Sequence, residues 1–226
     1  MEEERIIFED DFLMVVDKPA GLVVTNEGKR AGETLESWLL LNRGGNAKLA
    51  RAGIVHRLDK GTTGLVVVAK KESILKQLQG DFKERRVSKE YLALVCGKTV
   101  VEGQIKMPIG RKRFGTWGRF GVTIEGKMAV TKFKRERLYQ KNELLFSLLN
   151  IFIETGRTHQ IRVHLSYLGW PVVGDSLYGK GEGRRIMLHA KRLKFNHPIS
   201  GERLEFESPL GVDWMEEQEK YEEMAG

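Results

Sequence analysis

The sequence predicts an α+β fold: a substantial mixed, mostly antiparallel β-sheet with flanking helices. Three observations carry that expectation. Lys127 to Tyr139 and Leu144 to Glu154 read as one long antiparallel hairpin, turning near Gln140-Lys141-Asn142. The run Gly64 to Lys70, with Val66-Val67-Val68 at its centre, is apolar enough for a strand buried on both faces. Helical periodicity is confined to a few short, separate segments, and no internal repeat is present.

The elements follow in order. Phe12 to Val16 and Leu22 to Thr25 read as strands around a Lys18-Pro19-Ala20-Gly21 turn. Thr34 to Asn42 reads as a helix, because Leu35, Trp38 and Leu39 fall at i, i+3 and i+4 and Gly44-Gly45 stops it. Ser73 to Lys83 is a second helix, with Ser73 as its expected N-cap and Leu75, Leu78 and Phe82 along one side. Tyr91 to Cys96 and Gln104 to Ile109 are strands. Gly110 to Gly121 reads as a Gly/Arg-rich loop in which Phe114, Trp117 and Phe120 alternate with Arg111, Lys112, Arg113 and Arg119. The pattern fits either a mobile surface loop or an RNA clamp, since arginine next to aromatic rings suits phosphates and splayed bases. Thr158 to Leu168 is a helix terminated by Gly169 and Pro171. At 100° per residue, Ile161, Leu165 and Leu168 share a face to be buried, while His159, Arg162 and Ser166 share another, which the pattern leaves to solvent. Ile186 to Phe195 and Arg203 to Glu207 form a late strand pair, and a polar helix follows from Asp213.

A chain of 226 residues can build one large domain or two tightly packed subdomains. Its 41% hydrophobic and 31% charged content is that of a globular protein rather than a disordered one. The apolar stretch Leu144 to Phe152 is broken by Ser147 and Asn150 and falls short of the roughly 20 residues a membrane span needs. Met1-Glu2-Glu3-Glu4 has neither the basic nor the apolar part of a signal peptide. The expectation is a cytoplasmic monomer with no membrane contact. Cys96 is the single cysteine, which excludes an internal disulfide and a thiolate zinc site. His159 and His164 stand at i, i+5 rather than the i, i+4 of a helical metal pair, so no metal is expected. No phosphate-binding glycine motif is present, so no nucleotide cofactor is expected either.

The net charge of +7 favours a polyanionic partner. Basic residues crowd at Lys83 to Lys89, Arg111 to Arg119, Lys132 to Arg137 and Lys180 to Lys194, whereas the acidic excess sits at Glu2 to Glu4 and Glu216 to Glu223. The chemistry is concentrated in Ile54-Val55-His56-Arg57-Leu58-Asp59-Lys60-Gly61-Thr62-Thr63-Gly64-Leu65-Val66-Val67-Val68. Two apolar runs flank a polar turn, so ordered structure on both sides holds Asp59, a carboxylate beside the cations Arg57 and Lys60. Rigid support of this kind suits a reacting group. On residue types alone, a turn aspartate paired with a neighbouring arginine is the more ordinary reading.

His56-Arg57-Leu58-Asp59 followed by Thr62-Thr63-Gly64-Leu65 resembles the catalytic motif of RluA-type pseudouridine synthases, with Thr63 in place of that pattern's serine. Further segments resemble the family in the same order. They are Asp17-Lys18-Pro19-Ala20-Gly21-Leu22-Val23-Val24, Lys89-Glu90-Tyr91-Leu92-Ala93-Leu94-Val95-Cys96-Gly97, and Thr155-Gly156-Arg157-Thr158-His159-Gln160-Ile161-Arg162-Val163-His164-Leu165. The last continues into Gly169-Trp170-Pro171-Val172-Val173-Gly174-Asp175 and Tyr178-Gly179. Leu188-His189-Ala190 and Phe195-Asn196-His197-Pro198 complete the set.

The resemblance implies a single catalytic domain over residues 1–226, with its motif-bearing core at about 8–210, a polar tail at 211–226 and no N-terminal S4 module. It implies the pseudouridine synthase fold with a catalytic cleft, and isomerisation of uridines in rRNA or tRNA without a cofactor. Asp59 becomes the catalytic carboxylate, Tyr91 the ring beside the uracil, and Arg162 the cation that orients Asp59. Arg57 displaces the target base, and Arg157 meets phosphate. Lys18, His56, Lys89, His159 and Gln160 join Arg57 and Arg157 as expected substrate or RNA contacts. Two other readings predict different outcomes. A silent RNA-binding relative would be unchanged by Asp59→Asn. A carboxylate-dependent glycosidase would need a second carboxylate about 5–10 Å away and would release free base.

Overall fold

Every one of the seven positions of the strand Thr63–Ala69 is buried, as expected for a strand covered on both faces. In this computed structural model, which describes residues 5–25, 33–42, 48–112 and 119–224, the chain divides into two compact units. Unit 1 comprises residues 1–88 and 190–209, and unit 2 residues 89–189 and 210–226.

Unit 1 carries β1 (Ile6–Glu9), β2 (Leu13–Lys18), β3 (Thr63–Ala69), the greater part of β9 (Leu188–Asn196) and β10 (Arg203–Glu207). The strand order is β1-β2-β3-β9, with β10 on β9. β2 runs antiparallel to β3 with Met14 opposite Val68, Val16 opposite Val66 and Lys18 opposite Gly64. Helix α2 (Glu72–Lys83) lays Ile74, Leu75 and Leu78 against Leu13, Val15, Val67 and Phe195. Each such buried side chain contributes about 1.5–3 kcal/mol. α2 begins one residue before the expected cap. Lys71 is the N-cap, without a side-chain hydrogen bond, and Glu72 opens the first turn and pairs with Lys76 at 2.7 Å. Helix α1 (Leu35–Asn42) buries Leu35, Trp38 and Leu39. The expected strand Leu22 to Thr25 is reduced to a single parallel bridge between Val23 and Thr34. The carbonyls of Val23 and Val24 accept instead from the N–H groups of Leu35 and Glu36, at 2.9 and 3.0 Å, and so satisfy the open end of α1. Gly64 has φ +108°, and a Cβ there would lie 2.3 Å from the Ala190 carbonyl oxygen, so no other residue fits.

Unit 2 carries β4 (Ser88–Cys96), β5 (Glu102–Arg111), β6 (Phe120–Val122), β7 (Lys127–Lys141), β8 (Leu144–Ile153) and β11 (Glu222–Glu223). Their order is β4-β8-β7-β5-β6, with β11 on β7. The long hairpin β7–β8 turns at Asn142 and Glu143, both at positive φ (48° and 63°), between the paired Lys141 and Leu144. A two-residue turn of this hand matches the twist of the strands it joins. β6 occupies the end of the expected glycine-rich loop, pairing Phe120 with Arg111 and Val122 with Ile109. Phe114 and Trp117 of that loop lie outside the described residues. Helix α3 (Gln160–Tyr167) packs Val163 on Ile109 and Ala129.

The C-terminal segment, polar by sequence, is anchored by buried aromatic side chains. In α4 (Val212–Gln218) Trp214 is buried and donates from Nε1 to Gln218 at 2.8 Å, and Gln218 donates to the Tyr139 hydroxyl at 2.8 Å. Tyr221 packs edge-on against Phe146, and burial, with Glu217 beside it, pushes its hydroxyl up to about 12. Among the described residues no helix is long and apolar enough to cross a membrane.

Candidate active site

Asp59 sits in an irregular stretch between the bridge of Ile54 with Val68 and the start of β3. It is half-buried, with Arg57 and Lys60 exposed on either side. The stretch owes its shape to main-chain bonds. The Thr62 N–H donates to the Asp59 carbonyl at 3.0 Å, and the Gly21 N–H to the Lys60 carbonyl at 2.9 Å. Lys18 completes the arrangement. Its side chain is fully buried, and its ammonium donates to the carbonyls of Pro19, Leu22 and Lys60 at 2.7, 2.9 and 3.2 Å. Three carbonyl dipoles are what a buried cation needs in place of water. His56 accepts the Val67 N–H on Nε2 at 3.2 Å and stacks on Phe82 of α2 with ring centroids 4.5 Å apart. Both side chains thus bind the Asp59 stretch to the strands around it.

Unit 2 supplies the other expected residues. Tyr91 is buried in β4 opposite Ile151, and Lys89 is buried two residues earlier. Arg157, His159, Gln160 and Arg162 come together at the start of α3. Arg157 is exposed. Gln160 is buried and makes its bonds within the protein. Its Oε1 accepts from the Thr155 hydroxyl (2.7 Å) and the Arg157 N–H (3.1 Å), and its Nε2 donates to the Val130 carbonyl and the Thr131 hydroxyl, both at 3.0 Å. It fastens the 155–160 turn to β7. His159 has φ 55°, an uncommon backbone for a residue with a side chain, and its Nδ1 lies 2.8 Å from the Tyr178 hydroxyl.

Arg162 differs most from the sequence pattern. The helix face it shares with His159 and Ser166 is covered, not solvated. Its guanidinium meets Asp175 side-on, Nε to Oδ2 at 2.7 Å and Nη2 to Oδ1 at 2.9 Å, with the Arg162 side chain 6% exposed and that of Asp175 fully buried. Burial opposes ionisation of Asp175. The hydrogen bonds and charge of Arg162 and the N–H groups of Tyr178 and Leu177 outweigh it and hold the carboxyl below its ordinary value. Asp175 and Tyr178 were legible only as members of a motif segment, because nothing in the spacing shows that residues 175–178 return to α3. His164, on the next turn, is buried between the Thr131 hydroxyl and the Met107 carbonyl, and desolvation lowers its pKa. Burial, with Glu182 nearby, raises the Cys96 thiol. Among the described residues no group of three or more His, Cys, Asp or Glu side chains is placed to hold a metal ion.

The family model for RNA pseudouridylate synthase matches residues 12–167, a stretch that includes Asp59, Tyr91 and Arg162. The chain belongs to this family. Among curated relatives, the ribosomal large subunit pseudouridine synthase D of Vibrio cholerae is 40% identical, over 94% of this chain and 69% of that protein. The protein of the same name from Pseudomonas aeruginosa is 39% identical over 94% and 70%. Among solved structures, human RNA pseudouridylate synthase domain containing 1 is similar with a TM-score of 0.79 and 28% identity, over 97% of this chain and 88% of that one. Human RNA pseudouridylate synthase domain containing 4 gives 0.75 and 25%, over 96% and 92%. The α+β pseudouridine synthase fold and the RluA-type assignment therefore stand, and the chain is an RNA-modifying isomerase.

Proposed function

We propose that this pseudouridine synthase converts specific uridines of ribosomal RNA to pseudouridine, with Asp59 as the catalytic carboxylate and no cofactor. The observation that carries the reading is the anchored stretch around Asp59. Three main-chain and ammonium bonds converge on the Asp59 and Lys60 carbonyls and leave the carboxylate on a fixed backbone. A reaction that proceeds by positioning needs such a support. The rRNA substrate rests on the names of the relatives.

The target uridine leaves its stack to reach the carboxylate, and the exposed Arg57 takes its place. Asp59 promotes cleavage of the N1–C1′ bond, the uracil turns, and a C5–C1′ bond forms. C5 gives up its hydrogen and N1 gains one, so the product is an isomer and no redox partner is consumed. Tyr91 stacks on the uracil, an interaction worth about 1–3 kcal/mol, and Arg162 is the cation that orients Asp59. Arg157, His159 and Lys89 contact the RNA. Lys18, His56 and Gln160 act through the backbone they hold. The enzyme works as a cytoplasmic monomer.

The test is pseudouridine mapping of total RNA from cells with the gene, without it, and with Asp59→Ala. Sites in ribosomal RNA that disappear without the gene and are not restored by the variant are the expected result. Sites confined to tRNA would overturn the substrate, and full restoration by Asp59→Ala would overturn the catalytic assignment.

A further inference from the structure

The side chains of His159, the left-handed N-cap of α3, and of Arg162 and Ser166 on the helix all end on the segment Asp175–Tyr178. Tyr178 is the common point. Its N–H donates to Asp175 Oδ1 at 3.1 Å, and its carbonyl accepts from the Ser166 hydroxyl at 2.6 Å. Its hydroxyl lies 2.8 Å from His159 Nδ1. Its ring lies 5.1 Å from the Arg162 guanidinium carbon, within range of a cation–π contact. Arg162 is therefore fixed twice, along its edge by the Asp175 carboxylate and on its face by the Tyr178 ring.

The contacts continue outward from His159. Its ring meets Phe120 of β6 edge-on with centroids 6.0 Å apart, and Arg111 of β5 lies 5.6 Å from that ring. An unbroken series thus runs from the β5–β6 hairpin through His159 and Tyr178 to Arg162. The positive φ of His159 turns its ring toward Tyr178 at a cost in backbone energy.

We infer that Tyr178 is a positioning residue for the isomerisation: its ring sets the guanidinium plane of Arg162, and its hydroxyl ties that plane, through His159, to the β5–β6 hairpin. The inference rests on the reading of Arg162 as part of the catalytic apparatus. Tyr178 itself touches no reacting atom, so its loss is felt in the rate at saturating enzyme more than in RNA affinity, which it reaches only through His159.

The experiment measures single-turnover pseudouridine formation and RNA binding for full-length variants, with each rate normalised to folded protein by thermal melting. Tyr178→Phe keeps the ring and loses the hydroxyl, and is expected to slow the reaction about tenfold at saturating enzyme, with a smaller change in RNA affinity through His159. Tyr178→Leu loses both and is expected to slow it about 100-fold. Tyr178→Phe combined with His159→Ala is expected to be no slower than the slower single variant, because both remove the same bond. Wild-type rates in both Tyr178 variants, or rate losses that multiply in the double variant, would overturn the inference. Arg162→Ala run in parallel separates the two readings. If Arg162→Ala is as fast as wild type, the catalytic role of Arg162 falls. If it is inactive while Tyr178→Leu is fast, only the positioning role falls.

Discussion

Unit 1 holds the Asp59 stretch by its main chain, whereas unit 2 holds Arg162 by side chains. Around Asp59 the partners are carbonyl and N–H groups of Gly21, Pro19, Leu22, Lys60 and Thr62, with one buried ammonium among them. Around Arg162 they are a carboxylate and an aromatic ring. Main-chain groups are present whatever the residue, so the first arrangement depends on the path of the chain. The second depends on the identities of Asp175 and Tyr178 and is correspondingly easier to destroy by a single substitution.

The largest expected effect tests the side-chain half. Asp175→Ala leaves a guanidinium that is 6% exposed without its carboxylate. Unfolding in urea should show a loss of about 3–5 kcal/mol, the usual consequence of breaking a buried ion pair from one side. A loss below 1 kcal/mol would mean that Arg162 turns to another partner at little cost. Lys18→Met tests the main-chain half. It removes the ammonium, keeps the stem's volume, and leaves the carbonyls of Pro19, Leu22 and Lys60 without that donor. The expected loss in the same measurement is about 1–3 kcal/mol. A larger loss than that of Asp175→Ala would reverse the comparison.

The smallest effect is in pH. Burial depresses the folded-state pKa of His164, so the unfolded chain takes up the proton first. The contribution is complete above the ordinary value of 6.5 and declines as pH falls from there toward the folded pKa. Asp175 is depressed as well; its contribution is present above 3.8 and is lost as pH falls through its folded pKa. Thermal melts from pH 7.5 to 5 should therefore decline for the wild type and stay flatter for His164→Gln. Equal slopes would remove His164 as the cause.

Much of this was legible in the sequence. The Val66-Val67-Val68 run, the β7–β8 hairpin and the Leu35, Trp38, Leu39 period announced themselves because the pattern of burial is written locally. The Asp59 stretch was legible through its motif. Long-range partners left no local mark. The α3 face of His159, Arg162 and Ser166 reads as solvated because its cover, residues 175–178, arrives from outside the helix. The resemblance marked Lys18, His56 and Gln160 as RNA contacts, and no local pattern shows the bonds they also make to backbone and neighbouring side chains within the fold. The polar tail from Asp213 hid one buried tryptophan, Trp214, that holds it down.

The order of strands in unit 1 bears on how the protein is made. β3 pairs with β2 on one edge and with β9 on the other, and β9 begins at Leu188, about 120 residues after β3 ends at Ala69. Residues 54–56 bond that edge of the fully buried β3 at Val67, but at roughly 5–20 residues per second of synthesis the rest of it waits about 6–24 s for β9. Nascent chains of this enzyme are thus most prone to aggregate, and most dependent on chaperones, during the interval in which unit 2 is being translated.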